Sequence, residues 1–260
     1  MNRYFLEVSY KGTNYAGFQI QENAVTIQSE LEKAMEVFFR RKMTLTGSSR
    51  TDTGVHAEQN FFHFDSELSI EQNSIYNLNS ILPEDIAVLH IEEVQPEAHC
   101  RFDAISREYA YTVYRHKNPF LQGLAYYYPY TLNITKLQEA AGAILGAHDF
   151  KSFSKRNTQV RTFTCKIEVS KWVSVGDRMI YSVKANRFLR GMIRGLVGTM
   201  LQVGRNKITV NEFKEIFEHR DSSLADFSVP GTGLCLKRIE FPETCFKSGN
   251  KFSDENSLRL

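Results

Sequence analysis

The feature that most constrains the fold is a change of hydrophobic period that happens twice along the chain. Over residues 3–10 the sequence alternates, with Tyr4, Leu6, Val8 and Tyr10 on one face, the pattern of a half-buried strand. At Thr26 the period lengthens. Ile27, Leu31, Ala34, Met35 and Phe38 recur at helical spacing behind a threonine suited to cap a helix. Short strands over 43–46 and 60–64 flank a polar loop. The second round starts near Ile105, where Tyr109, Tyr111 and Val113 alternate as a strand. A helix is predicted over 134–145, with Gly146 as its stop. Strands over 161–172 and 179–185 come next, then a basic helix, then a helix over 210–219 presenting Phe213, Ile216 and Phe217. Two strand–helix rounds with hairpins predict an α+β protein of two α/β lobes with mostly antiparallel sheets.

Charge is segregated along the chain. Residues 65–100 hold eight acids and no Lys or Arg, whereas residues 184–207 hold six basic residues and no acid. The net charge of +2 hides this contrast. Such a basic stretch, interleaved with glycine and apolar residues, makes a local positive field to which a polyanion responds. The four cysteines (Cys100, Cys165, Cys235 and Cys245) lie far apart with no CxxC pair, which reads as reduced thiols in a cytoplasmic protein. No His-x-x-x-His pair, zinc-like Cys/His spacing, Walker loop or GxGxxG occurs, so no metal and no cofactor is expected. The N-terminus lacks a signal-peptide apolar core, and no apolar run reaches membrane length.

The most chemically suggestive stretch is Gly47-Ser48-Ser49-Arg50-Thr51-Asp52-Thr53-Gly54-Val55-His56-Ala57. Small side chains surround one acid, Asp52, with a guanidinium two residues before it and a glycine two after. A loop of this kind brings backbone close to a ligand and presents one carboxylate beside one cation. Read alone, it is equally a polar turn whose Asp bonds local amides.

Other segments decide between these readings. Arg50-Thr51-Asp52-x-Gly54-Val55-His56-Ala57 resembles the signature of the tRNA pseudouridine synthase A (TruA) family. Six further segments are similar to that family in the same order: Tyr10-x-Gly12-x-x-Tyr15-x-Gly17-Phe18-Gln19-x-Gln21, Leu78-Asn79-x-x-Leu82-Pro83-x-Asp85-Ile86, Arg101-Phe102-x-Ala104-x-x-Arg107-x-Tyr109-x-Tyr111, His148-Asp149-Phe150-x-Ser152-Phe153, Phe188-Leu189-x-x-Met192-Ile193-Arg194-x-x-Val197-Gly198 and Pro230-x-x-Gly233-Leu234-x-Leu236. Three positions depart from it. Ser49 stands where the family usually has Gly, Thr53 where it has Ala, and Gln59-Asn60 where it commonly has Gly-Gln.

The resemblance implies a pseudouridine synthase-like fold whose two lobes form a central basic cleft. Residues 1–104 would form an N-terminal lobe carrying the Asp loop. Residues 105–242 would carry the active-site tyrosine and the basic helix, and residues 243–260 would be a polar tail. It implies isomerisation of uridine to pseudouridine at positions 38, 39 and 40 of tRNA, by a homodimer, without metal or cofactor. Asp52 would be the catalytic residue, either as nucleophile towards C1′ or as base for a C2′ proton. Either role needs an ionised carboxylate, so a nearby cation is expected, and Arg50 and Arg194 are the candidates. By resemblance Arg194 pairs with Asp52, while Arg50 serves the displaced nucleotide or its phosphate.

Arg187, Arg190 and Arg194 share a helical spacing and are read as a stripe on one helix face, with Gly191, Gly195 and Gly198 beside it. Arg187, Arg190 and Leu189 complete the expected substrate contacts, Leu189 also opening the apolar row that seats the helix. Tyr109 would stack on the uracil and help move its C5 proton. His56 reads as a structural donor to a carbonyl. Two rival classes are a non-catalytic RNA-binding module and a nucleoside hydrolase using Asp149 or Glu108 as a second acid.

Overall fold

In the computed structural model, which describes residues 1–156 and 160–247, the chain folds as two units. The first contains residues 1–105 and the stretch from Arg238 onward, and the second contains Ser106–Lys237.

The first unit is built of β1 (Asn2–Tyr10), α1 (Ile27–Phe39), β2 (Thr46–Gly47), β3 (His56–Ser66), α2 (Ser74–Ile81) and β4 (Ile86–Val94). β1 is central, antiparallel to β3 and β4, with Tyr4 opposite Phe64 and Leu6 opposite Phe62. α1 starts where Thr26 predicts. The Thr26 hydroxyl accepts from the Ser29 amide at 3.1 Å and the Ser29 hydroxyl from the Thr26 amide at 3.0 Å, a reciprocal box that contributes about 1 kcal/mol. Its buried row is Ile27, Leu31, Ala34 and Met35.

β1 is not half-buried. Phe5 and Glu7, on the face expected to meet solvent, are both buried. Phe5 packs against Phe241 and Phe246, with ring centroids at 5.1 and 6.1 Å, and Gln59 donates to the Glu7 carboxylate at 3.0 Å. Residues more than 230 positions away in sequence therefore cover the second face. For the same reason residues 243–247 do not begin a loose tail. Phe246 bridges to Val94, and the Gln95 amide donates to the Cys245 carbonyl at 2.8 Å. The expected tail beyond 247 lies outside the described residues.

The second unit contains β5 (Ser106–Tyr114), β6 (Tyr126–Tyr127), α3 (Ile134–Gly142), β7 (Gly146–Asp149), β8 (Thr164–Val175), β9 (Arg178–Ala185), α4 (Met192–Gly204) and α5 (Val210–His219). Its strands run in the order β5-β9-β8-β7, each neighbour antiparallel, and β6 lies parallel to β5. The last strand, β10 (Leu234–Glu240), begins in the second unit and ends in the first, so the second unit closes at Lys237 rather than at 242. The sheets are mostly antiparallel and the class is α+β, as the alternating periods predict.

α4 is the core helix of this unit, with Met192, Ile193, Leu196, Val197, Met200, Leu201 and Val203 all buried. Its glycines admit the loop before β10. A methyl at Gly198 would fall 2.1 Å from the Asp226 carbonyl oxygen. That loop is tied down by Gln202 donating to Asp226 at 2.9 Å and by the Asp226 amide donating to Thr199 Oγ1 at 3.0 Å.

α4 starts later than the spacing predicts. Gly191 has φ of 74°, a left-handed residue that closes the preceding segment and caps the helix, so Arg187 and Arg190 lie on the approach to it and share no helix face with Arg194. The helix expected over 134–145 ends at Gly142, because Gly146 opens β7 instead. Of the strand expected over 43–46 only Thr46 pairs, as the first residue of the two-residue β2.

Candidate active site

The Asp52 loop hangs between β2 and β3 and is held from three sides. Asn60 on β3 reaches back beneath it. Its amide nitrogen donates to the Ser49 carbonyl at 2.8 Å and to the Tyr10 hydroxyl at 3.0 Å. Its oxygen accepts from the Ser49 and Phe61 amides at 3.3 and 2.8 Å. Two of the three departures from the family pattern, Ser49 and Asn60, are thus partners in one buried network, Ser49 through its backbone. Tyr10 passes the support on, its hydroxyl lying 2.8 Å from Thr51 Oγ1.

The segment after β1 packs on the other side. The Phe18 amide donates to the Thr51 carbonyl at 3.1 Å, and Gly12 lies so close that a methyl there would sit 2.0 Å from the Val55 carbonyl oxygen. Tyr10, Gly12 and Phe18, read in sequence as separate motif positions, are therefore the walls of the Asp52 loop. Gly54 takes φ of 78° and the Val55 amide closes the turn on the Asp52 carbonyl at 3.2 Å. The Asp52 side chain is half-buried and Arg50 is exposed. His56 is structural, but as an acceptor. Its Nδ1 receives the Gly12 amide at 3.0 Å, so the neutral ring carries its proton on Nε2.

The remaining expected site residues belong to the second unit. Tyr109 on β5 is buried, with its ring edge-on to Phe188 at 5.2 Å. Tyr111 is also buried, but its hydroxyl donates to the Pro230 carbonyl at 2.8 Å, and burial raises its pKa. Tyr111 is thereby committed to structure.

Arg194 is the third residue of α4. Its Nε donates to the Val229 carbonyl at 2.8 Å and a terminal nitrogen to the Phe227 carbonyl at 3.4 Å, which fixes the plane of the guanidinium. A cation in the first turn opposes the helix dipole, so the helix end and the side chain together make a spot suited to an anion. Arg190 is exposed and Arg187 half-buried; Leu189 is buried and offers RNA little surface. Asp149, the strongest alternative acid, is bound by Arg220 at 2.5 Å and by the Lys151 amide at 2.9 Å.

One grouping escaped the spacing argument. His63, His99 and Cys100 bring donor atoms within 4.8 Å of one another. Only the adjacent His99-Cys100 pair hinted at it, since His63 lies on β3, far earlier in the chain. His63 Nδ1 lies 3.2 Å from Cys100 Sγ, which also lies 3.1 Å from the Thr46 carbonyl oxygen. Burial, then the nearby His99 and Arg3, pushes the His63 pKa down to about 4.

Comparison with known proteins gives the class. The tRNA pseudouridine synthase profile matches residues 7–103 and 140–242, taking in both the Asp52 loop and α4. A tRNA pseudouridine synthase A from Parabacteroides distasonis is 42% identical over 248 residues, covering 95% of this chain and 98% of the relative. One from Bacteroides thetaiotaomicron is 40% identical over 99% of this chain and 97% of its own. One from Staphylococcus aureus is 36% identical over 93% and 91%. The chain belongs to the tRNA pseudouridine synthase family. Tyr109 falls in the stretch between the two matched segments.

Proposed function

We propose that this protein isomerises uridine to pseudouridine in the anticodon stem and loop of tRNA, at positions 38, 39 and 40, with Asp52 as the catalytic carboxylate. The observation that carries the reading is the Asp52 loop. In a chain of this family, a single half-buried acid is presented by a turn braced through Asn60, Tyr10 and Gly12.

The reaction conserves every atom. The bond from C1′ to N1 breaks, the uracil turns, C1′ bonds to C5, the C5 proton leaves and N1 gains one. Asp52 serves as nucleophile at C1′ or as base for a C2′ proton, and both require it ionised. Arg194 pairs with Asp52 to favour that form, its guanidinium already oriented by two carbonyls. Tyr109 lies beside the uracil, and Arg50, Arg187 and Arg190 meet phosphates or the displaced nucleotide. The enzyme works in the cytoplasm as a homodimer, with one tRNA contacting both subunits.

The test is Asp52→Asn and Asp52→Ala, assayed with tRNA in single turnover and by binding. Pseudouridine formation should vanish while tRNA affinity stays within about threefold, because the carboxylate acts in the chemical step. Full activity in rigorously purified Asp52→Ala protein would refute the assignment. Release of free uracil by the wild type would favour the hydrolase reading.

A further inference from the structure

Beside the Asp52 loop, within the first unit, lies a cavity of about 200 Å³ that Asp52 itself does not line and that shares Phe18 and Arg50 with the loop and its walls. Its lining includes Arg50, His99, Arg101, Phe102, Gln19 and Thr46, and among the described residues no acid lines it. This is notable because the chain just before it, residues 65–100, carries eight acids and no Lys or Arg. Of the lining residues only His99 belongs to that stretch, and the cavity itself carries two guanidinium groups, Arg50 and Arg101.

Phe102 is its most unusual wall. A phenylalanine usually buries its ring, yet this one is 75% exposed. It is not there by slackness of the chain. The turn carrying it is closed by the His99 amide donating to Asp103 at 2.7 Å and by the Phe102 and Asp103 amides both donating to the His99 carbonyl at 3.1 Å. His99 supports the ring from one side, centroid to centroid 4.3 Å, and the Arg101 guanidinium lies 5.7 Å from the ring centre. A rigidly held, exposed aromatic face with guanidinium groups around it is the arrangement that stacks an unpaired base and holds its phosphate.

We infer that this cavity binds an unpaired nucleotide of the RNA substrate, its base stacked on Phe102 and its phosphate met by Arg50 and Arg101. The inference rests on the tRNA-isomerase reading and adds a second point of grip on the RNA. An A-form stem hides its base edges in a narrow groove, so an enzyme that works near a loop gains register by holding a base the stem does not pair. Arg50 lines this cavity and stands two residues before Asp52, so the nucleotide held here would be close to the reacting one along the strand.

The experiment uses the full chain. Phe102→Trp places a reporter in the cavity, and the protein's single natural tryptophan, Trp172, is buried and distant in sequence. Saturating tRNA should quench the new tryptophan, and inorganic phosphate alone should not. Phe102→Ala should weaken tRNA binding about tenfold, within the range expected for one stacked base, and Phe102→Tyr should restore it. Arg101→Ala should flatten the salt dependence of affinity by about one phosphate contact. The inference is overturned if Phe102→Ala binds tRNA within twofold of wild type, or if tRNA leaves the Phe102→Trp emission unchanged. Wild-type turnover of tRNA uridine in the same preparation separates the two levels. Normal turnover with indifferent Phe102 variants counts against this cavity alone, and absent turnover counts against the isomerase reading.

Discussion

Asn60→Ala is the perturbation that most directly tests how the Asp52 loop is held. The side chain makes four hydrogen bonds, to the Ser49 amide and carbonyl, the Phe61 amide and the Tyr10 hydroxyl, and none of it reaches solvent. Each such bond contributes about 1 kcal/mol net, and buried groups left unpaired cost more. Tyr10 keeps its contact with Thr51 at 2.8 Å, which reduces the loss. The sum is a destabilisation of about 3 kcal/mol.

Activity should fall further than stability alone explains. Asp52 lies three residues beyond Ser49, and misplacing a reacting group by about 1 Å can cost roughly a hundredfold in rate. Urea unfolding would measure the first effect and single-turnover pseudouridine formation at saturating enzyme the second. Faster hydrogen exchange at the Ser49 and Phe61 amides would locate the change. An Asn60→Ala protein within about 0.5 kcal/mol of wild type, with those amides still protected, would show that the network does not brace the loop.

Three further outcomes are expected. Arg194→Ala and Arg194→Lys should both cut single-turnover rate far more than tRNA affinity, since Lys lacks the planar fork; a loss confined to affinity would make Arg194 a phosphate clamp and pass the pairing role to Arg50. Arg187→Ala and Arg190→Ala should each weaken tRNA binding by about 1 kcal/mol and lower the slope of log affinity against log salt by roughly one contact, with unchanged rate at saturation. His63 binds its proton near pH 4 when folded, against about 6.5 when unfolded, so its contribution is full above about 6.5 and drains away as pH falls towards 4. Urea midpoints between pH 7 and pH 5 should drop more steeply for wild type than for His63→Gln, and parallel curves would contradict the assignment.

What the sequence made legible was local. α1 could be read because Thr26 and its apolar row lie within one short segment, and the Asp52 loop because its small residues are contiguous. What it hid depends on distance along the chain. β1 looks half-buried until Phe241 and Phe246 are placed against Phe5. The arginine stripe followed a true helical period, but one positive φ at Gly191 cut it, and no period count detects a left-handed residue. α2 went unread because only Ser74 and Leu78 of its residues are buried, too few to set a rhythm. His63 joined His99 and Cys100 only through the fold. At the site, motif order picked out Asp52, while the reasons for Tyr10, Gly12 and Asn60 appeared only as contacts.

The path of β10 carries a consequence for how the protein is made. On the ribosome, residues 1–105 emerge first, yet one face of their central strand stays uncovered until Phe241 and Phe246 have been synthesised. Everything between, the whole of Ser106–Lys237, is contiguous and can close before that happens. The unit begun first is thus finished last. During translation Phe5 and Phe61 remain an apolar surface needing protection, and a stop codon before Phe241 would strand the oldest part of the chain rather than the newest.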